Sequence, residues 1–228
     1  AYRSALGGGT SWFQAGSHAK DGSLTWWDVV LRPISDAEGH PEQLLAVCRN
    51  ITERKKIELA AQEEARLAAL RADIGVEVAR GGDLTPILQQ LAQILVHHTD
   101  VVLAQVWLKQ PDAPALKLSA TAGIYLNTRP EIMIGEGRIG GIAATKRAHI
   151  THQIADDPDI CDPDWAQREG LTSFAGYPLL FESRVLGVLT VMSRVRLEAR
   201  LLREIGLIAD AIALVIQRKS ADDEREAA

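Results

Sequence analysis

The sequence predicts an α+β fold, with helices segregated from antiparallel sheet. Three observations carry this prediction. Residues 10–53 alternate like strands around two tight turns. Residues 52–80 are dominated by Glu, Lys, Arg, Ala and Leu, with no glycine or proline before Gly75. The last third sets a strand hairpin ahead of an amphipathic helix.

The elements follow in order. Trp12 and Phe13 open the first strand, and Lys20-Asp21-Gly22 reads as a hairpin turn, because Asp-Gly suits positive-φ positions. Residues 25–34 form a second strand, with Pro33 near its end, where a ladder N–H is dispensable. Asp36-Ala37-Glu38-Gly39 is the second turn and residues 44–49 the third strand. Thr52 is placed to cap the helix that follows. Along it Ile57, Ala60/Ala61, Leu67/Ala68 and Ile74 share a stripe that Glu64 interrupts, and Ala60, Leu67 and Ile74 stand seven apart. That spacing fits a coiled-coil seam between two copies, and equally a helix packed on its own domain.

Gly81-Gly82-Asp83 ends this helix, and Asp83 or Thr85 caps the next, residues 86–99, with Pro86 in its first turn. Strands are predicted at 101–109, 116–122, 132–134 and 149–153, and short helices at 139–145 and 163–169. Residues 173–181 and 185–192 form a hairpin around Glu182-Ser183-Arg184. Leu201, Ile205, Ile208, Ile212 and Val215 then mark one face of the last helix. Its charged end, after Gln217, is expected to fray.

Composition narrows the function classes. Of 228 residues, 46% are hydrophobic and 24% charged, enough for a real core. The net charge of -5 is spread evenly and argues against a nucleic-acid surface. Two cysteines, Cys48 and Cys161, point to a reducing compartment, so a cytoplasmic location is expected. No apolar run approaches the roughly 20 residues of a membrane span, so no membrane contact is expected. The chain starts at Ala1 and not at Met, which reads as an excerpt of something longer.

Two resemblances enter here. Asp21-Gly22, Trp26-Trp27, Pro33-Ile34, Asp36, Gly39 and the run Asn50-Ile51-Thr52-Glu53-Arg54-Lys55 resemble the C-terminal half of a PAS domain. Asn50 stands where that family usually has Asp. Gly135-Glu136-Gly137-Arg138-Ile139-Gly140-Gly141, Ala155-Asp156-Asp157-Pro158, Trp165, Glu169-Gly170-Leu171, residues 173–179 and Leu186-Gly187-Val188-Leu189 resemble a GAF domain. The implied layout is a PAS remnant at 1–54, a signalling helix at 55–80, a GAF domain at 66–217 including its N-terminal helix, and a charged tail at 218–228. The order is similar to that of bacterial sensor histidine kinases. It implies a sensory module that takes a small ligand or passes conformational change through the helices of a homodimer to a downstream output domain. A scaffold that only dimerises, and a haem or tetrapyrrole sensor, are the alternatives.

The candidate sites follow from that frame. Trp107, Ile139, Ile142, His149, Trp165, Phe174 and Tyr177 are expected to line a ligand pocket. Ile57, Leu67, Ile74, Leu201, Ile205, Ile208 and Ile212 are expected at a dimer interface. Gly135-x-Gly137-x-x-Gly140 matches a dinucleotide fingerprint by letter only, since no doubly wound sheet surrounds it; a tight turn opening a short helix is the better reading. His97, His98, His149 and His152 lack zinc spacing, and no metal site is expected. Cys161 sits among acidic residues that disfavour a thiolate. No Gly-x-Ser-x-Gly, Walker loop or His-Glu-x-x-His occurs, so no catalytic residue is assigned and no cofactor is specified.

Overall fold

A computed structural model describes residues 9–18, 21–124, 129–154, 157, 159 and 163–226. The chain divides between Ala65 and Arg66 into two compact units, each treated by itself.

In the first unit, β1 (Ser11–His18), β2 (Leu24–Ser35) and β3 (Pro41–Asn50) form an antiparallel meander in chain order. Both turns are set by an aspartate. Asp21 Oδ1 accepts the Ser23 N–H at 2.9 Å beside Gly22 at φ 80°. Asp36 Oδ1 accepts the His40 N–H at 2.7 Å beside Gly39 at φ 88°. Lys20, expected in the first turn, lies outside the described residues. Val29 and Leu31 are buried against Phe13, Trp27 and Leu44, while β3 leaves Leu45 and Val47 exposed.

The chain then enters α1 (Thr52–Arg80). Thr52 is its first residue and not its cap. The Thr52 hydroxyl accepts the Trp26 N–H at 2.9 Å, and Asn50 Oδ1 takes the Thr52 N–H at 2.9 Å. The amide oxygen of Asn50 thus satisfies a free helix N–H, and the threonine ties the helix start to β2.

The second unit contains α1 from Arg66 onward, α2 (Leu84–His98), β4 (Val101–Lys109), β5 (Ala115–Gly123), β6 (Glu131–Met133), α3 (Gly137–Thr145), β7 (His149–Thr151), α4 (Pro163–Arg168), β8 (Ser173–Phe181), β9 (Arg184–Ser193) and α5 (Ala199–Glu226). The strands form a six-stranded sheet ordered β6-β5-β4-β9-β8-β7. All its pairings are antiparallel. The central strands are buried on both faces, which is why β4 and β9 read as apolar runs and not as alternation.

On one face Ala104, Val106, Ala175, Leu189 and Val191 share a core with Leu70 of α1, Leu91 of α2 and Ile205 of α5. On the other, Leu103, Trp107, Phe174, Val188 and Met192 meet Ile139 and Ile142 of α3 and Ala166 of α4. Arg71 of α1 grips Glu204 of α5 with two guanidinium bonds, one of them 2.8 Å from Nε. These bonds outweigh the opposing effect of burial and hold the Glu204 carboxyl below its usual range.

Of the residues expected at a dimer interface, Leu67, Ile74, Leu201, Ile205, Ile208 and Ile212 are buried in the unit's own core. The stripe covers the apolar sheet face of its own chain, because that face must be buried by something. Of the residues named, only Ile57 is exposed, at 69%. Helix α5 runs on past Gln217 to Glu226.

A methyl group added at Gly187 of β9 would stand 2.1 Å from the Trp107 carbonyl oxygen. Gly187→Ala is therefore expected to destabilise the fold by about 2 kcal/mol through strand displacement. Urea unfolding should show a lower midpoint with an unchanged slope.

Candidate functional site

The face of the sheet beneath α3 and α4 gathers most of the chemically distinctive side chains. Strand parity assigns them. Leu103 and Trp107 of β4 lie on this face, so Gln105 between them does too. Gln105 pairs with Thr121 of β5 and Thr190 of β9; Thr190 pairs with Gly176 of β8, and Gly176 with His149 of β7. The register thus draws a polar lane across the sheet: Thr121, Gln105, Thr190, Gly176, His149. Gln105 and Thr190 are each 2% exposed. An apolar row, Leu103–Met192–Phe174, runs along one side of the lane, and Trp107–Val188 runs along the other.

Helix α3 reaches this face through glycines. Gly135 and Gly137 adopt φ of 94° and 54°, and the Gly135 N–H donates to the Gly140 carbonyl at 2.9 Å. The glycine fingerprint is a turn that opens a helix, set in an antiparallel sheet. A Cβ at Gly176 would stand 2.3 Å from Ile142 Cδ1, so the bare glycine admits α3 onto β8.

A charge cluster sits at the rim. Arg138 Nε donates to Asp157 Oδ2 at 3.0 Å, its Nη2 bonds Asp157 Oδ1, and Nη2 lies 3.2 Å from Asp159. The Asp157 side chain is 5% exposed. Its burial pushes the carboxyl pKa up, but the Arg138 guanidinium and the Asp159 N–H outweigh that and hold it below the usual range. His149 Nε2 lies 3.6 Å from Asp157 Oδ2, too far for a hydrogen bond. Among the described residues, the buried nitrogens His149 Nε2 and Trp107 Nε1 have no hydrogen-bond partner.

The expected pocket residues divide by face. Trp107, Ile139, Ile142 and Phe174 are buried on this side, Trp165 packs against them, and the His149 ring lies 6.2 Å from that of Phe174. Tyr177 does not join them. It stands three residues from Phe174 on β8, an odd step that turns it to the opposite face. There its hydroxyl donates to the Leu202 carbonyl of α5 at 2.7 Å, and burial raises its pKa to about 12. Cys161 and Ala155-Asp156 lie outside the described residues. Among the described residues no cluster of His, Cys, Asp and Glu fits a metal ion, and no helix is long and apolar enough to cross a membrane.

Comparison with known proteins now decides the family. The GAF domain profile matches residues 82–217, well over half of the chain. The chain belongs to the GAF domain family. The PAS fold profile matches residues 1–56, ahead of the GAF domain. No curated protein matches the chain. Solved structures with the same fold include the GAF domain of a phosphoenolpyruvate-protein phosphotransferase from Coxiella burnetii, 18% identical, TM-score 0.62, covering 71% of this chain and 98% of that one. The GAF domain of A. aeolicus nlh2 in an inactive state is 13% identical, TM-score 0.61, covering 69% and 99%. A free methionine-R-sulfoxide reductase from Neisseria meningitidis, solved with its substrate, is 19% identical, TM-score 0.59, covering 70% and 93%. At these identities they establish the fold alone. Together the GAF and PAS matches make this a sensory or regulatory module.

Within the GAF domain, Gln105, Thr190, Arg138 and Asp157 had no role assigned from sequence. Gln105 and Thr190 were legible as polar residues at inward positions of apolar strands. The Arg138–Asp157 pair was not, since it depends on how the loop after β7 returns to α3.

Arg138→Gln leaves Asp157 buried without its cation and should cost about 3 kcal/mol near neutral pH. A carboxyl with a depressed folded-state pKa stabilises the fold above its unfolded value and loses that contribution as pH falls through the folded value. The difference between wild type and variant should therefore shrink below about pH 4. Urea titrations across that range check it.

Proposed function

We propose that this GAF domain is a ligand-responsive sensor that acts on a downstream output domain, such as a histidine kinase, through its terminal helices. The observation that carries this reading is the two-sidedness of β8. Phe174 and Gly176 face the polar lane and α3, while Tyr177 is bonded to the Leu202 carbonyl of α5. A ligand that shifts β8 against α3 displaces a strand hydrogen-bonded through its side chain to the exit helix. Packed elements move as units, so such a shift reaches α5. On this reading the module binds and transmits.

A dimerising scaffold is the second reading. Leu207 and Leu214, seven apart on α5, are 62% and 59% exposed. A homodimer of either kind would use this outer face and not the buried stripe.

Native mass spectrometry of the purified chain, before and after incubation with a bacterial metabolite extract, separates the readings. The sensor reading expects a non-covalent mass excess; a chain that stays bare supports the scaffold. Leu207→Glu with Leu214→Glu should convert a dimer to monomer by sedimentation, and an unchanged dimer places the interface elsewhere. Tyr177→Phe should cost about 1 kcal/mol of stability and speed amide exchange in the first turns of α5.

A further inference from the structure

We infer that the ligand of this face is a compact, uncharged molecule carrying an amide or lactam group; the inference rests on the sensor reading above. The polar lane sets its chemistry. Gln105 and Thr190 are side by side on β4 and β9 and almost wholly buried. Trp107 stands two residues from Gln105 on the same strand face, roughly 7 Å along, and among the described residues its indole N–H meets no acceptor. His149 closes the lane at β7, its Nε2 beside the Asp157 carboxylate at 3.6 Å but with no hydrogen bond among the described residues. Buried polar groups cost free energy unless they are hydrogen-bonded. An occupant that satisfies them must present both acceptors and donors.

The Gln105 carboxamide offers one carbonyl and one NH₂, and the complement to that edge is another amide. A carbonyl has two lone pairs, so the same group can also accept from the Trp107 indole. Charge is disfavoured. The lane groups are amide, hydroxyl, indole and imidazole, and Arg138, the cation at its rim among the described residues, is already engaged by Asp157 and Asp159. An anion here would have to be desolvated without a free counter-charge. A purely apolar molecule would leave the Trp107 N–H unsatisfied. Gln105 and Trp107 lie roughly 7 Å apart along β4, so contact with both requires an occupant of about one ring.

The test follows the Trp107 indole N–H in ¹⁵N-labelled protein, assigned by its loss in Trp107→Phe. Three probes of equal ring size are titrated to roughly millimolar levels: 2-pyridone, a neutral lactam; benzoate, an anion; and benzene. The expected result is a saturating shift of the Trp107 signal with 2-pyridone alone. Gln105→Leu and the near-isosteric Thr190→Val should each weaken it roughly tenfold, in variants whose other indole signals are unmoved. Stronger binding of benzoate or benzene overturns the ligand class and leaves the sensor face standing. No shift with any probe overturns both, because the lane then holds only water.

Discussion

The constraint on which this molecule depends is that the central strands of its GAF sheet must be covered on both faces. β4, β8 and β9 have no solvent side. One face is closed by long helices, whose Leu and Ile side chains each contribute roughly 2 kcal/mol on burial. The other is closed by two short helices and the segments around them. A face covered by short pieces carries fewer fixed contacts, and on this face the sheet sets a lane of polar side chains among its apolar ones. The two coverings thus differ in kind, long helices on one face and short ones on the other.

Glycine makes the short-helix covering possible. Gly140 brings α3 against the β6 end, where a Cβ would stand 2.2 Å from the Met133 carbonyl oxygen, and Gly176 admits Ile142 onto β8. At both positions the absence of a side chain permits close approach. Arg138 then leaves the first turn of α3 to hold Asp157. A buried carboxylate is tolerable only with a bonded cation, so the pair fixes where the segment after β7 meets the helix.

Charge pairing also organises the long-helix covering. Arg71 and Glu204 join the helix that enters the GAF domain to the helix that leaves it. Both helices bury one stripe and expose another. On α5 the exposed stripe carries Leu207 and Leu214, apolar side chains that the chain itself does not cover. In the first unit, the start of α1 is bonded to β2 through Thr52, so the helix begins from a fixed point on that small sheet.

Sequence periodicity determined the kinds and order of the elements. β4 and β8 carry mostly apolar runs, α5 repeats Leu and Ile at helical spacing, and Asp-Gly marks the first hairpin, so their local patterns suffice. The motif residues around Gly135 and Gly187 were enough to indicate the GAF domain. What periodicity could not supply was the partner of each stripe. The α5 stripe looks the same whether it faces a second copy or its own sheet, and only the sheet face lying beneath it decides for the latter. Tyr177 and Phe174 looked alike as aromatics on one strand, and their odd separation sends them to opposite faces. Gln105, Thr190 and His149 come from strands far apart in sequence. They become one lane only through inter-strand register, which is fixed by long-range packing and not by any local preference.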